Sequence, residues 1–479
     1  LVNGICTTKG GTHVDHVVNM ATAGMVDKTS LKPYQVKNSI FVLVKAVLVN
    51  PTFSSQVKDE CTSKVSTFGS KFDPPKTFIK NLLKIGFQDE IALLSKVKQM
   101  KDLKKTDGNS LKSRITGIPK LDDANWAGTS KSHKCTLILT EGDSAKALAV
   151  AGLSIVGRDK FGVFPLRGKP RNVRDASTAQ ILANAEFNNI KKIIGLKQGM
   201  VYTDLRMLRY GSLMIMADAD HDGSHIKGLV INMIHYFWPS LIDLGFVVSM
   251  ITPIIKVTKG SQFKWFFTEG AFKNWYATSS GKWNIKYYKG LGTSTSAEAK
   301  EYFKSIEKLT IKFTMDDVSN NAVQLAFEKV KTDERKRWLT NVSENDPSTL
   351  EVNYGNIKAL TVNEFIHKDM VHFSLADLRR SIPNMMDGLK PSQRKVIYAA
   401  LKRRLTTDIK VAQFAAYVAE STAYHHGEVS LADTIVRLAH DFTGSNNINL
   451  LYPSGQFGTR LQGGKDASQT RYIFTRLMP

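Results

Sequence analysis

The chain has 479 residues, 42% hydrophobic and 23% charged, a composition typical of a globular protein with roughly two to four domains. Its formal net charge of +23 indicates a polyanionic partner, and nucleic acid is favoured over a membrane because the best apolar stretch, residues 39–49, is short and interrupted by Lys45. Three scattered cysteines without a CxxC pair exclude a disulfide framework or a zinc ribbon and suit a reducing compartment.

The first predicted element of length is a helix over residues 76–105. Its apolar residues recur at helical spacing, and Phe78, Leu82 and Ile85 are expected to share the inward face. The segment ends in a cluster of lysines, which favours a solvent-exposed end.

Two strand–loop–helix units follow, and each carries an acidic loop. Residues 134–153, "KCTLILTEGDSAKALAVAGL", predict a strand, a turn and a helix. Residues 213–238, "LMIMADADHDGSHIKGLVINMIHYFW", repeat that order. Strands that alternate with helices predict a mainly parallel sheet, and ligands bind beyond the carboxyl ends of such strands. Both acidic clusters fall at that edge.

The acidic clusters consist of four carboxylates: Glu141, Asp218, Asp220 and Asp222. A calcium-binding EF-hand is disfavoured because its twelfth position needs a glutamate, and Leu229 stands there. A solvated acidic turn is the plainer alternative. Clustered carboxylates repel each other unless a cation is present, and hard oxygen ligands suit Mg²⁺. In a basic protein this pattern favours metal-assisted phosphoryl transfer on nucleic acid.

Short helices dominate from about residue 355 onward. Pro391 is placed where a helix can start. Residues 411–421 and 430–442 predict a helix–turn–helix, in which Ser430 and Asp433 form the start signal of the second helix.

These segments resemble eukaryotic-type DNA topoisomerase II, and the resemblance covers essentially the whole chain. It is carried by "LTEGDSAK" (139–146), "GVFPLRGKPRNVRDAS" (162–177), "LRYGSLMIMADADHDGSHIKGL" (208–229), "YYKGLGTSTS" (287–296), "SIPNMMDGLKPSQRKV" (381–396), "YHHGE" (424–428) and "RYIFT" (471–475).

The resemblance implies an α/β plus α+β fold. A toprim domain with a Rossmann-like parallel sheet is followed by a winged-helix DNA-binding domain and preceded by the C-terminal part of an ATPase transducer. The implied boundaries are 1–75 for the transducer part, 76–125 for a helical linker, 126–350 for toprim with an insertion, and 351–479 for the winged-helix domain. The chain is expected to be a central fragment, with the ATP-binding fold before it and the C-gate after it.

The resemblance also implies the roles of particular residues. Tyr472 would be the nucleophile, with Arg471 and His426 beside the cleaved phosphate. Glu141, Asp218, Asp220 and Asp222 would be the metal ligands. The residues implied to contact DNA are Arg167, Lys169, Asn172, Lys329, Lys390, Arg394, Lys395 and Tyr424. Gln56 and Lys58 would reach the phosphates of ATP.

The implied activity is that of an ATP-dependent topoisomerase. It makes a transient double-strand break through a 5′-phosphotyrosyl link, passes a second duplex and reseals the first. The implied cofactors are ATP and Mg²⁺, with Mn²⁺ or Ca²⁺ as substitutes, and the implied partners are double-stranded DNA and a second copy of the chain, with no membrane. Ala219 and His221 replace glutamines of cellular relatives, which suggests a divergent lineage such as a large cytoplasmic DNA virus. The expected location is the nucleus for a cellular protein and the host cytoplasm for a viral one.

Two other functions compete with this interpretation. In bacterial gyrase or topoisomerase IV the toprim and tyrosine regions usually lie on separate chains, whereas Asp222 and Tyr472 share one chain here. A catalytically silent DNA-binding scaffold would be expected to have lost carboxylates, and all four are present.

Overall fold

The computed structural model describes residues 1–27, 32–84, 97–108, 114–344, 350, 352–355, 357–424 and 426–479. The chain divides into two units. The smaller unit contains residues 1–108, 178–184 and 197–199, and the larger unit contains 109–177, 185–196 and 200–479. The domain boundaries expected after residues 75, 125 and 350 remain predictions.

The smaller unit is mainly helical, with strand contacts limited to isolated bridges among its described residues. Its helices are α1 (Thr12–Val26), α2 (Pro33–Lys37), α3 (Lys76–Lys84) and α5 (Thr178–Leu182), and residues 97–104 are also helical. The predicted inward face of α3 is confirmed at Leu82, which packs against the core of this unit, and is wrong at Phe78. Ile79 is buried against Met25 and Val36, whereas Phe78 is exposed. Ile85 lies outside the described residues.

A six-stranded sheet organises the larger unit, in the order β2-β1-β3-β4-β8-β9. Its strands are β1 (Thr136–Glu141), β2 (Phe161–Leu166), β3 (Ser212–Met216), β4 (Val247–Met250), β8 (Thr310–Thr314) and β9 (Ala359–Thr361). The first four strands of that order are parallel, and only the β4–β8 pair is antiparallel. The expectation of a mainly parallel sheet is therefore confirmed.

Helix α4 (Gly142–Val156) follows β1 directly and packs against α10 (Ser296–Lys304) over a core that includes Ile138 and Leu148. The close approach of the two helices depends on Gly152. A Cβ added at that position would lie 2.1 Å from the ring of Phe303, which is itself buried. Helix α7 (His221–Phe237) follows β3 after the second acidic loop. The order strand, acidic loop, helix thus occurs twice, as the sequence predicts.

The remaining elements of this unit include a separate three-stranded antiparallel sheet, ordered β6-β5-β7. Its strands are β5 (Ile255–Lys259), β6 (Gln262–Phe266) and β7 (Asn284–Tyr287). The other helices up to residue 381 are α6 (Ala185–Ile194), α8 (Ser240–Asp243), α9 (Glu269–Thr278), α11 (Ser319–Phe327), α12 (Thr332–Glu344), α13 (Val362–Phe365) and α14 (Val371–Ser381). Among the helices described, none combines the length and apolarity that a bilayer crossing requires.

The last part of the unit has the arrangement expected of a winged-helix domain. Helices α15 (Pro391–Arg403), α16 (Val411–Ser421) and α17 (Glu428–Ala439) surround one apolar core, and β10 (Ile409–Lys410) pairs with β11 (Phe474–Thr475) in antiparallel fashion. The predicted start of α17 at Ser430 is wrong by two residues, because the helix begins at Glu428 after its N-cap Gly427.

Replacing Phe414 by alanine is expected to lower the free energy of unfolding by about 3–5 kcal/mol. Phe414 is fully buried in the core of the three helices, so its removal leaves a cavity as well as losing apolar burial. Urea denaturation followed by circular dichroism measures the change. Val429→Ala is the matched control, since Val429 is 77% exposed on α17 and its loss should change stability by less than about 0.5 kcal/mol. Equal effects of the two substitutions would contradict this packing.

Candidate functional site

The two acidic loops meet at the carboxyl edge of the central sheet. Strands β1 and β3 are parallel neighbours, with Thr140 opposite Met216, so the residues that follow them emerge side by side. The backbone N–H of Asp218 donates a hydrogen bond to Oε2 of Glu141 over 3.1 Å. This contact joins the two acidic loops through residues that lie 77 positions apart in the sequence.

Asp218 is also held by the loop "KGLGTS" (289–294). The backbone N–H of Leu291 donates to Oδ1 of Asp218 over 2.8 Å. Gly290 passes so close that an added Cβ would lie 2.4 Å from Oδ2 of Asp218. The loop therefore positions the carboxylate, a role that the sequence analysis did not assign to it. The feature of the sequence that could have indicated this role is the pair of glycines in the loop, because glycine permits a close approach of the backbone to another group.

Asp220 begins helix α7. Its Oδ1 accepts a hydrogen bond from the backbone N–H of Gly223 over 2.7 Å, which caps the helix. A glycine is needed at 223 because a Cβ there would lie 2.1 Å from the backbone oxygen of Asp218. The loop is thus tightly folded around its own carboxylates.

Two of the carboxylates, Glu141 and Asp218, are disfavoured as ions by their surroundings. Burial and the charges of the three aspartates raise the pKa of Glu141 to about 7, against the opposing hydrogen bond from the Asp218 N–H. Burial likewise raises the pKa of Asp218. A divalent cation bound by these oxygens would neutralise the repulsion, so the donor set fits a hard cation such as Mg²⁺. This fit is one of donor chemistry, since no three His, Cys, Asp or Glu side chains in the described part of the chain are already arranged to hold a metal ion.

Asp222 uses both oxygens in ion pairs. Its Oδ1 lies 2.5 Å from Nζ of Lys169 and 3.0 Å from Nη2 of Arg380, and its Oδ2 lies 2.9 Å from Nη1 of Arg380. Burial raises the pKa of Asp222, but the hydrogen bonds from Arg380 and Lys169 outweigh it and hold the pKa well below its usual range. Sequence reasoning missed Arg380, because a single arginine near the end of a helix gives no sign of its partner.

Replacing Asp222 by asparagine is expected to lower the free energy of unfolding by about 1–2 kcal/mol at pH 7, as the bidentate arginine pair is lost. Because the pKa is lowered in the folded state, this stability is present above about pH 4 and decreases as the pH falls toward the folded pKa. Urea denaturation without metal, at pH 7 and pH 3, measures it. Asp377→Asn, at a more exposed partner of Arg380, should have a smaller effect. If the difference in free energy of unfolding between wild type and Asp222→Asn were the same at pH 7 and pH 3, the ion pair would be contradicted.

The residues expected to face DNA after strand β2 differ in their surroundings. The side chain of Arg167 is exposed. Lys169 is committed to the aspartate described above. The Asn172 amide donates to the backbone oxygen of Phe327 over 2.8 Å and its Oδ1 accepts two further bonds, so its role in the structure is internal support. Lys329 is exposed on a short turn.

The second set of expected DNA contacts lies at helix α15. Lys390 is the N-cap residue of the helix. Arg394 forms a two-pronged pair with Asp387, with distances of 2.7 and 2.8 Å. Nζ of Lys395 lies 5.9 Å from the ring centre of Tyr424. Three cationic side chains therefore lie near the N-terminal end of this helix, and one of them, Arg394, is paired with a carboxylate.

Tyr472 is exposed beside β11. Its side chain is 65% exposed, while the next residue, Ile473, is 1% exposed and anchors the segment in the core. The guanidinium of Arg471 lies 4.9 Å from the centre of the Tyr472 ring. His426 packs edge-on against Tyr424 at 5.5 Å. The phenol is thus held on a fixed backbone and open to a ligand.

Gln56 and Lys58 belong to the smaller unit and lie on an exposed turn. Lys58 has a φ of 58°, a left-handed conformation stabilised by a hydrogen bond from its N–H to the Ser55 oxygen. Its Nζ lies 5.8 Å from the ring centre of Phe53. Both side chains are accessible to a ligand.

Comparison with protein families accounts for the larger unit almost completely. The family "Toprim domain" matches residues 136–248, "C-terminal associated domain of TOPRIM" matches 250–378, and the family of the A subunit of DNA gyrase/topoisomerase IV matches 380–479. The first of these contains the four carboxylates, and the last contains Tyr472. The Toprim family implies a divalent metal.

Individual relatives give the same assignment. The chain is 52% identical to "Probable DNA topoisomerase 2" of Dictyostelium discoideum, over 99% of this chain and 32% of that protein. It is 50% identical to "DNA topoisomerase 2-alpha" of Sus scrofa, over 100% of this chain and 33% of that protein. A crystal structure of the Plasmodium falciparum topoisomerase II DNA-binding, cleavage and re-ligation domain superimposes with a TM-score of 0.66 at 53% identity, covering 76% of this chain and 50% of that one.

The chain thus spans about a third of the length of the curated relatives it matches. With about 50% identity along its whole length, and with the Toprim and gyrase A-type domains in the order that the sequence predicts, it belongs to the eukaryotic-type DNA topoisomerase II family.

Proposed function

We propose that this chain performs the DNA cleavage and religation of an ATP-dependent type II topoisomerase, in which a duplex is opened, a second duplex is passed and the first is resealed. The observation that carries the proposal is the presence on one chain of acidic residues brought together at the edge of the sheet and an exposed tyrosine anchored by its buried neighbour Ile473. A scaffold that only binds DNA has no use for either feature.

The proposed step is a transesterification. The phenolic oxygen of Tyr472 forms a bond to the backbone phosphorus as its proton is lost, and the bond from phosphorus to the 3′-oxygen breaks as that oxygen takes up a proton. The products are a 5′-phosphotyrosyl ester and a free 3′-hydroxyl, so the bond energy is retained for resealing. Arg471 lies beside the Tyr472 ring, where its charge can stabilise the additional negative charge of the transition state.

Glu141, Asp218 and Asp220 are the residues that would hold the divalent cation, which we propose to be Mg²⁺, with Mn²⁺ or Ca²⁺ as substitutes. When bound, the cation polarises the phosphate and stabilises the leaving oxygen. Groups of the protein itself position the metal ligands and the DNA. The Leu291 N–H fixes the Asp218 carboxylate, and two cations, the exposed Arg167 and the half-buried Lys390, bind the backbone of the duplex.

Three further features complete the proposal. A second copy of the chain cuts the opposite strand, so the acting species is a homodimer. ATP is bound outside the described site, with Gln56 and Lys58 reaching its phosphates. The protein works in the nucleus if it is cellular, and in the host cytoplasm if it is viral.

Incubation with supercoiled plasmid and Mg²⁺, followed by detergent and protease, tests the proposal. The expected products are nicked and linear DNA, with protein attached at 5′ ends before proteolysis and with no such products in EDTA. Mn²⁺ and Ca²⁺ are expected to give the same products. DNA binding without any covalent adduct under all of these conditions would favour the silent scaffold and overturn the proposal.

A further inference from the structure

The small antiparallel sheet and its helix form a strongly basic part of the larger unit. We name residues 254–289 the basic lobe; it contains strands β5, β6 and β7 and helix α9. It carries seven lysines against a single acidic residue, Glu269, and three of the chain's six tryptophans. No predicted catalytic or DNA-contacting residue lies in it.

Carboxylates neutralise three of the seven lysines. The pairs are Lys256 with Glu301 at 2.6 Å, Lys286 with Glu298 at 2.8 Å, and Lys273 with Glu269 at 3.4 Å. Glu301 and Glu298 belong to helix α10, so two of these pairs dock the lobe on its neighbour. The other four lysines are exposed and have no carboxylate within 4.0 Å among the described residues: Lys259, Lys264, Lys282 and Lys289.

Two of these free cations lie over adjoining aromatic rings. Nζ of Lys259 is 5.6 Å from the centre of Trp283, and Nζ of Lys264 is 5.7 Å from the centre of Trp275. The two indole rings are themselves 5.1 Å apart. The ammonium groups therefore share one face of the lobe and stand on a packed aromatic layer, where they are held in place more firmly than on a mobile loop.

A third cation borders the same face. The Nζ of Lys259 lies 2.6 Å from the place that a Cβ at Gly281 would take, which puts it beside the segment that carries Lys282. The ring of Tyr276 on helix α9 is also exposed, at 54%. Closely spaced cations and exposed aromatic rings are the groups that contact a nucleic-acid backbone and its sugars.

We infer that this face of the basic lobe is a DNA-binding surface additional to the cleavage site, and that Lys259, Lys264 and Lys282 bind the phosphates of a duplex. A duplex presents one charge for about every 1.7 Å of its axis, so it can match three neighbouring ammonium groups at once. An acidic peptide is the competing occupant, and the crosslinking experiment below distinguishes it from DNA. The inference rests on the proposed DNA function and adds a contact to it.

Neutralising the three lysines together, as Lys259→Gln, Lys264→Gln and Lys282→Gln, tests the inference. The slope of log K against log salt for duplex DNA should decrease by roughly 0.9 for each phosphate that is no longer neutralised, and affinity at physiological salt should fall about tenfold. The matched control removes the same charge from exposed positions of helix α10 and the turn that follows it, as Lys300→Gln, Lys304→Gln and Lys308→Gln. It should leave the slope unchanged. A triple change to arginine at the three lobe positions should also keep the wild-type slope.

A photo-crosslinking residue in place of Tyr276 provides an independent measurement, with the same residue in place of Val318, which is 51% exposed, as control. Crosslinks to DNA from position 276 and not from 318 are expected. Crosslinks from 276 only to protein would mean that the lobe binds a protein partner and would overturn the inference. Equal salt slopes of wild type and lobe variant would overturn it too, while leaving the proposed function intact. Failure of the wild type to bind DNA would instead defeat the proposed function.

Discussion

Tyr472→Phe is expected to form no covalent adduct with DNA and to relax no supercoils, while folding and binding DNA like the wild type. The phenolic oxygen becomes an atom of the ester, so no other group of the side chain can replace it. If Tyr472 were instead a core aromatic, the substitution would only remove a hydrogen bond, worth about 0.5–1.5 kcal/mol. The structure contradicts that alternative, since Tyr472 is 65% exposed. The variant should therefore lose DNA cleavage while its free energy of unfolding stays close to that of the wild type.

The measurement is a denaturing gel on end-labelled DNA after incubation with Mg²⁺ and trapping by detergent. Tyr452→Phe is a suitable control, because Tyr452 is another partly exposed tyrosine of the same domain and no role is proposed for its hydroxyl in cleavage. A normal yield of adduct from Tyr472→Phe would place the nucleophile elsewhere in the chain.

Arg471 provides a graded comparison with the tyrosine. Its guanidinium lies beside the Tyr472 ring and donates no atom to the new bond. Arg471→Ala should therefore slow cleavage severely and still yield some adduct after long incubation, in contrast to the complete loss expected at Tyr472.

Asp218→Asn is expected to abolish DNA cleavage and to weaken divalent-metal binding at least tenfold, with duplex binding largely intact. Asparagine is nearly the same size, and its side-chain oxygen can still accept the hydrogen bond from the Leu291 N–H, so the loop should keep its structure. Only the charge is lost. Since DNA is held mainly by lysines and arginines, removing one carboxylate should not reduce the affinity for the duplex.

Two measurements check this expectation independently of each other. Cleavage is followed by adduct formation, and metal binding is followed by the paramagnetic signal of Mn²⁺ without DNA. Asp143→Asn is the matched control, because Asp143 follows the same strand as Glu141 but is 68% exposed and paired with Lys120 at 2.5 Å. It should cleave DNA like the wild type. Wild-type cleavage by Asp218→Asn would show that this carboxylate is not a metal ligand.

The sequence by itself determined the elements that local patterns can encode. The apolar runs before "TEGDS" and "ADADHDG" predicted two buried strands, and both acidic loops occur where those strands end. Parallel neighbours then bring Glu141 and Asp218 together, because the carboxyl ends of adjacent strands must meet. The spacing of apolar residues also indicated the helices of the last domain, although it placed the start of α17 two residues too late.

Only the tertiary structure decided which of these side chains are free and which are committed. Asp222 and Arg380 are 158 residues apart, and no periodicity links them, yet their pair helps to hold the pKa of the carboxylate below its usual range. Asn172 matches a DNA-contact position by motif but makes internal hydrogen bonds. The free lysines of the basic lobe are likewise distinguishable from the paired ones only after helix α10 is placed against it. Local sequence determines the backbone preferences of each segment. The partners of a side chain depend instead on which distant segments fold against it, and the order of residues along the chain does not reveal those contacts.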